Sequence, residues 1–266
     1  MENQVIFFKT QAAAFEHSQQ NNDMVVCGIQ NANRTYKYTS FSNQETYADF
    51  ILSPHQDSKF VNEMLRGHTN TYLDIDTKCS LAELGFESTK EFVSVFSKFL
   101  QDVFKRYFDI KVKKKELLWS NSSRAGKTSF HCVVALSSWY WHMDDRKELK
   151  NFMTAVANET LWKRGFYFFE ETNGTYVQNS VIDMQVYSKN RLFRSLGCRK
   201  HCSDVCLKPV KGKVTQKNII DHMVSVYDTE ERQRLRYKPT CRIKPSPVDR
   251  HIVDKIAREN DSTVHE

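Results

Sequence analysis

The stretch Tyr72-Leu73-Asp74-Ile75-Asp76-Thr77-Lys78 constrains this chain more than any other. It is apolar and β-prone apart from its acids. Strand side chains alternate sides, so Asp74 and Asp76 share one face while Leu73 and Ile75 share the other. Two strand rises separate the carboxylates by about 7 Å, where they repel by roughly 2–3 kcal/mol at an effective dielectric of ~20. Two settings tolerate such a pair. One is a solvated strand end; the other is a bound cation, since hard divalent ions take carboxylate oxygens together with substrate phosphates. On this stretch alone both stay open.

The 266 residues suffice for one large domain or two small ones sharing a core. An apolar fraction of 40% with 12% aromatics predicts a folded body rather than a disordered one. Lys and Arg exceed Asp and Glu by 39 to 32, a net charge of +7, compatible with a polyanionic partner and with many ordinary proteins. Seven scattered cysteines, Cys27, Cys79, Cys132, Cys198, Cys202, Cys206 and Cys241, do not make a disulfide framework and predict a reducing compartment. There is no signal-peptide pattern and no apolar run long enough to cross a bilayer, which predicts a soluble, intracellular, non-secreted protein with no membrane partner.

Alternating strands and helices predict an α/β fold. Helices are expected at 10–20, 44–52, 91–107, 144–162 and 216–227, with one or two helical turns at 59–66. The helix at 44–52 follows a capping-box pattern at Ser42-Asn43-Gln44-Glu45, and 91–107 carries Phe92, Phe96, Phe99, Leu100, Val103 and Phe104 at helical spacing. Strands are expected at 24–29, 35–41, 71–76, 117–119, 129–136, 176–186 and 191–198. On 35–41, Tyr36 and Tyr38 share a face. Residues 229–266, charged and punctuated by Pro239, Pro245 and Pro247, read as a tail with one helix at 249–258.

A second constellation is Lys127-Thr128-Ser129-Phe130-His131. On a strand, Ser129 and His131 point one way and Phe130 the other; a hydroxyl, an imidazole and a nearby ammonium suit a phosphate. A strand whose polar face merely includes a histidine is the plainer alternative. Ala125-Gly126-Lys127-Thr128 mimics the end of a phosphate-binding ATPase loop. That reading fails, because Asn121 stands where the first glycine belongs and the residues after Thr128 are strand-like. A third constellation places Asp183 in an apolar run, followed by a turn and then by Arg191, Phe193, Arg194, Gly197, Arg199 and Lys200. A third carboxylate would complete a two-metal phosphoryl-transfer site, and Arg194 and Lys200 would neutralise a triphosphate.

In that order, Asp-x-Asp, then Ser-x-His, then apolar-Asp followed by Arg and Lys, the chain resembles the archaeo-eukaryotic (AEP) primases. The likeness is to the branch holding PrimPol and the primases of herpesviruses, poxviruses and other large DNA viruses. It spans residues 72–200. The resemblance implies a catalytic domain over 1–228, made of two interlocking α/β subdomains at roughly 1–66 and 67–228. Its catalytic core would be an RRM-like mixed or antiparallel sheet with packed helices, beside an N-terminal α/β unit, with the active site in the cleft between. Asp74, Asp76 and Asp183 would bind two divalent cations, Mg²⁺ or Mn²⁺; Lys127, Ser129, His131, Arg194 and Lys200 would hold nucleotide phosphates. Arg34 and Arg66 are candidates for the family's N-terminal nucleotide-contacting arginine. The implied activity is DNA primase or primase-polymerase, on a single-stranded DNA template with nucleoside triphosphates. A separate helicase or other replication factors would be partners, in the nucleus or at a cytoplasmic replication site.

Departures from the family are expected to matter. Cys198, His201, Cys202 and Cys206 have zinc-ligand chemistry, but their spacing matches no standard zinc module, so zinc is not expected. Without that module, extension of primers is expected to dominate over their initiation. The competing reading is a non-catalytic, single-stranded nucleic-acid-binding subunit of a replication complex. A sugar-nucleotide transferase leaves the Ser-x-His and Asp-Arg-Lys elements without a role.

Overall fold

The computed structural model of the chain, which describes residues 5–188 and 191–237, is α/β, with antiparallel sheets covered by helices. In order, α1 (Gln11–Asn21) precedes β1 (Val25–Gln30), β2 (Tyr36–Phe41), α2 (Gln44–Leu52), β3 (Val61–Met64) and β4 (Thr71–Thr77). Then come α3 (Thr89–Phe108), β5 (Leu117–Asn121), β6 (Thr128–Val134), α4 (Arg146–Thr160), β7 (Tyr167–Thr172), β8 (Thr175–Ser180), β9 (Leu192–Arg194) and α5 (Gln216–Asp221).

The helices begin where side-chain oxygens satisfy their first free N–H groups. Thr10 accepts from Ala13 N–H, Ser88 from Glu91 N–H, and Asn43 and Thr46 cap one another reciprocally ahead of α2. α3 stops at Asp109 in the left-handed region (φ 57°), with Lys105 and Arg106 in its last turn, where cations suit the helix dipole. No helix among the described residues is long and apolar enough to cross a membrane.

Two sheets of four strands position the site. In the second, a short strand at Lys208–Pro209 pairs with β5, followed by β6 and β4, all antiparallel. Its inner face buries Leu73, Ile75, Trp119, Phe130 and Cys132 against Phe92, Phe96, Phe99, Leu100, Val103 and Phe104 of α3, with Phe92 stacked on Phe130 at 5.0 Å. The first sheet runs β9-β3-β1-β2 and covers a second core built on Val25, Cys27, Ile29, Tyr47, Ile51 and Val61. Leu196, Cys198, Leu207, Ile219 and Met223 complete that core. The chain after β8 thus returns to the N-terminal sheet and core, so residues on either side of 66–67 pack together.

Several expected elements differ. Residues 59–66 form no helix but the strand β3, hydrogen-bonded to β1 on one side and β9 on the other; this two-sided pairing outweighs local helical preference. The expected strand 191–198 shrinks to β9, which joins the N-terminal sheet, and the chain then turns at Gly197 (φ +85°), where a side chain would be strained. The strand expected over 176–186 ends at Ser180, and residues 184–187 form a 3₁₀ turn. The helix expected to reach 227 stops at Asp221, and Ser225–Val226 pairs with His68–Thr69 instead. Of the expected tail, the part up to Tyr237 docks on the body: Gln233–Arg234 pairs with Trp139–Tyr140, Leu235 is buried, and Arg234 and Arg236 bind Asp145. The expected helix at 249–258 lies outside the described residues.

Glu63 ties the two units together. It sits in the middle of β3, 3% exposed, and its carboxylate accepts from Val224 N–H (2.9 Å) and Ser225 N–H (2.7 Å). Burial raises its pKa, yet these donors are what justify a buried acid there. Glu63→Ala leaves two buried N–H groups unpaired and is expected to cost about 3 kcal/mol. Urea unfolding measures it, and a loss under about 1 kcal/mol would show that the strut carries no weight.

Candidate active site

The antiparallel register of β4 and β6 sets Asp74 directly opposite His131 and Asp76 directly opposite Ser129. Opposed residues of an antiparallel pair share a face, so the two acids, the hydroxyl and the imidazole lie together. Asp183 joins them from the free edge of β4. An Ile75–Ile182 bridge, with Asp183 N–H donating to Asp74 C=O (2.8 Å) and Asp76 N–H to Val181 C=O (3.1 Å), places Asp183 opposite Asp74. Asp183 also accepts from Gln185 N–H (2.8 Å), which orients its carboxylate.

Burial raises the Asp74 carboxyl to about 7, with the carboxylates of Asp76 and Asp183 adding to the shift and Arg194 and Lys200 opposing it. His131 Nε2 lies 3.6 Å from Asp74 Oδ1. The imidazole is 4% exposed; burial, reinforced by the Arg194 and Lys200 charges, pushes its pKa well below the usual histidine range, so it is neutral near pH 7. Its ring packs on Phe193 at 4.2 Å, and its Nδ1 is buried without a hydrogen-bond partner.

Facing these groups is the wall supplied by the N-terminal sheet. The cleft between encloses about 650 Å³ and is lined by Asp74, Asp76, Ser129 and His131 on one side and by Arg34, Arg191, Arg194 and Lys200 on the other. Arg194 reaches across, its Nη2 donating to Ser122 Oγ (3.2 Å), which in turn lies 3.0 Å from Ser129 Oγ. The Nε of Arg194 is buried and unpartnered. Together with His131 Nδ1 it is an unfilled polar group beside a cleft, the kind of position a ligand completes. Arg34 therefore lies in the cleft, whereas Arg66 stacks on Phe15 at 3.6 Å.

Lys127 stands apart from the cations of the opposite wall. Arg124-Ala125-Gly126-Lys127 is the turn of the β5–β6 hairpin, with Gly126 at φ +66°, so the ATPase-like string is a hairpin tip and has no helix behind it. From there the Lys127 ammonium reaches Asp76 Oδ1 at 2.7 Å. It occupies the position beside Asp76 where a cation would relieve the crowded charge. Among the described residues no group of three or more His, Cys, Asp or Glu is gathered closely enough to hold a metal. By chemistry the carboxylates of Asp74, Asp76 and Asp183 are hard oxygen donors of the type divalent cations take, and burial, with the neighbouring carboxylates adding to it, lifts the Asp74 pKa.

Of the four residues with zinc-ligand chemistry, Cys202 lines the cleft, whereas Cys198 and His201 are engaged elsewhere. The Cys198 thiol donates to Ser58 C=O (3.4 Å) inside the N-terminal core, and His201 stacks on Phe60 at 3.7 Å. Sequence reasoning did not assign Tyr36, Tyr38 and Asn62 to the cleft, which they line. The shared face of Tyr36 and Tyr38 was the available signal; Ser122 offered none. No protein-family model matches the chain, and no curated protein matches it.

The raised Asp74 pKa has a consequence for stability. Between 3.8 and about 7 the unfolded chain releases a proton that the folded chain keeps, so the unfolded state binds fewer protons and stability falls as pH rises through that window. Asp74→Asn removes the charge and keeps the shape. Since a fifth of the side chain meets solvent, the expected gain is modest: roughly 2–6 °C in Tm near pH 8, and little near pH 4. Thermal melts of the variant and the parent chain at both pH values test this, and a variant Tm below the parent's near pH 8 would contradict it.

Proposed function

We propose that this chain is a primase or primase-polymerase, transferring a nucleotide to a 3′-hydroxyl on a single-stranded DNA template, with the fold of the archaeo-eukaryotic primases. What carries the reading is one juxtaposition. Asp74 and Asp76 lie beside Ser129 and neutral His131 across a cleft from Arg34, Arg191, Arg194 and Lys200, and Asp183, from over a hundred positions further on, stands opposite Asp74 at the edge of the same sheet. Carboxylates facing a cationic wall are the two halves that a nucleoside triphosphate with divalent cations needs.

In this reading Arg194 and Lys200 bind the triphosphate, Ser129 donates its hydroxyl to a phosphate oxygen, and Asp74, Asp76 and Asp183 hold Mg²⁺ or Mn²⁺. His131 offers one N–H in its neutral form. Bound divalent ions supply charge neutralisation at the attacking and leaving oxygens. A bond forms between the 3′-oxygen and the α-phosphorus while the α–β phosphoanhydride bond breaks. Pyrophosphate leaves with the electron pair, and the hydroxyl proton passes to water. Unpaired thiols at Cys27, Cys132 and Cys198 support a reducing, intracellular setting, and helicase activity would come from a separate partner.

Asp74→Ala or Asp183→Ala is expected to lower metal-dependent incorporation on primed or bare template by roughly 100-fold or more with the fold intact by circular dichroism. Near-normal incorporation in either variant ends the reading. His131→Ala is expected to raise the nucleotide KM about tenfold with a smaller effect on kcat. An unchanged KM and kcat would remove His131 from the site.

The Lys127–Asp76 pair specifically favours a second reading, a non-catalytic single-strand binder in which lysine replaces the cation. Its mark is oligonucleotide binding that weakens steeply with salt and is indifferent to a chelator of divalent ions.

A further inference from the structure

Nucleotidyl transfer needs two substrates, and the carboxylates front two cavities. The first is the cleft described above. The second, about 630 Å³, opens between the end of α4, the β7–β8 hairpin and the segment 182–185. Asp76 lines both, whereas Asp183 lines only the second.

Their linings differ in charge. The first presents Arg34, Arg191, Arg194 and Lys200. In the second, the lysines are already engaged: Lys78 on Glu170 and Lys127 on Asp76, each at 2.7 Å. Apart from the Asp183 carboxylate, the rest of its polar lining is uncharged, chiefly Asn158, Gln178, Asn179, Ser180 and Gln185, and no cation among the described residues is left unpaired there. A triphosphate needs unpaired cations and so belongs in the first cavity. A strand's 3′ end presents a neutral hydroxyl, a sugar and a base edge, which amides that both donate and accept can match. Gln178 is held by its Nε2–H to Leu161 C=O (2.7 Å), which leaves its carbonyl oxygen for a ligand. Tyr176 shares a face of β8 with Gln178 and is 45% exposed; Trp162, next to Leu161, is 44% exposed. Exposed aromatic faces beside an amide-lined cavity suit unpaired bases, which stack on them irrespective of sequence.

We propose that this second cavity receives the 3′-hydroxyl end of the strand being extended, held by Asn158, Gln178 and Gln185, with Asp76 as the partition across which the hydroxyl meets the nucleotide. The inference rests on the nucleotidyl-transfer reading of the first cleft and adds to it the place of the second substrate.

The test uses the full chain and a primed template whose primer ends in a photoreactive thiothymidine. After irradiation, the cross-link is expected within residues 158–185. In the variant Asn158→Glu with Gln185→Glu, both at exposed positions, cross-linking is expected to fall at least fivefold. The KM for the primed strand should rise about tenfold with the nucleotide KM changed less than about twofold. Cross-links confined to the peptides of Arg34, Tyr36 and Tyr38, no cross-link at all, or a rise in the nucleotide KM alone would overturn the proposal. The two readings fail separately. Incorporation with cross-links elsewhere sinks the strand site alone; a cross-link at 158–185 in a chain that incorporates nothing in Mg²⁺ or Mn²⁺ keeps the strand site and sinks the transferase.

Discussion

The register between β4 and β6 is the constraint from which the site follows. Leu73, Ile75, Phe130 and Cys132 are fully buried against α3, and their alternate neighbours Asp74, Asp76, Ser129 and His131 must then face the other way. A slip of one residue would drive both carboxylates into the aromatic cluster around Phe92 and Phe96 and expose the apolar set. Burying an unpaired carboxylate costs several kcal/mol or more, so hydrophobic packing fixes the arrangement of polar groups without touching them. The edge pairing of 181–183 on β4 extends the same logic to Asp183, because its position is set by two backbone hydrogen bonds.

The opposing wall depends on where β9 goes. By pairing with β3 it leaves the carboxylate-bearing sheet and takes Phe193 and Arg194 to the seam between the units. Phe193 packs against His131 and Tyr72, Arg194 bonds Ser122, and Ser195 bonds Tyr47 in the N-terminal core. These contacts make the cleft a joint product of both sheets. They also explain its electrostatics: anionic groups on one wall face cations on the other, and the enclosed imidazole between them stays neutral because burial and nearby cations both disfavour its charged form. Lys127 completes the balance on the Asp76 side.

Periodic and capping signals were legible where one helix or one hairpin decides its own structure. The aromatic stripe of α3 and the two-faced strand at Ser129–His131 appear as the residues dictate, within a residue or two at the ends, and the reciprocal cap expected at 42–45 forms one residue on, between Asn43 and Thr46. Residues 59–66 and 191–198 were misread because their local patterns are weak. What decides them is hydrogen bonding to partners more than a hundred positions away, as when Leu192, Phe193 and Arg194 pair with Met64, Glu63 and Asn62. The same holds at the site. Ser129 and His131 shared a face on spacing alone, while Arg34 and Arg66 were equal candidates until packing put one in the cleft and the other on Phe15.

By itself the sequence determined which residues could act together on one strand, since alternation is a property of the extended backbone and needs no partner. It also determined the chemical inventory: acids, a hydroxyl, an imidazole and cations. Only the tertiary structure decided that Asp183 stands opposite Asp74, that Lys127 turns to Asp76, and that two cavities of different charge meet at one carboxylate. Those relations depend on strand pairing and core packing between distant segments, which are settled by the whole chain and leave no periodic trace in any part of it.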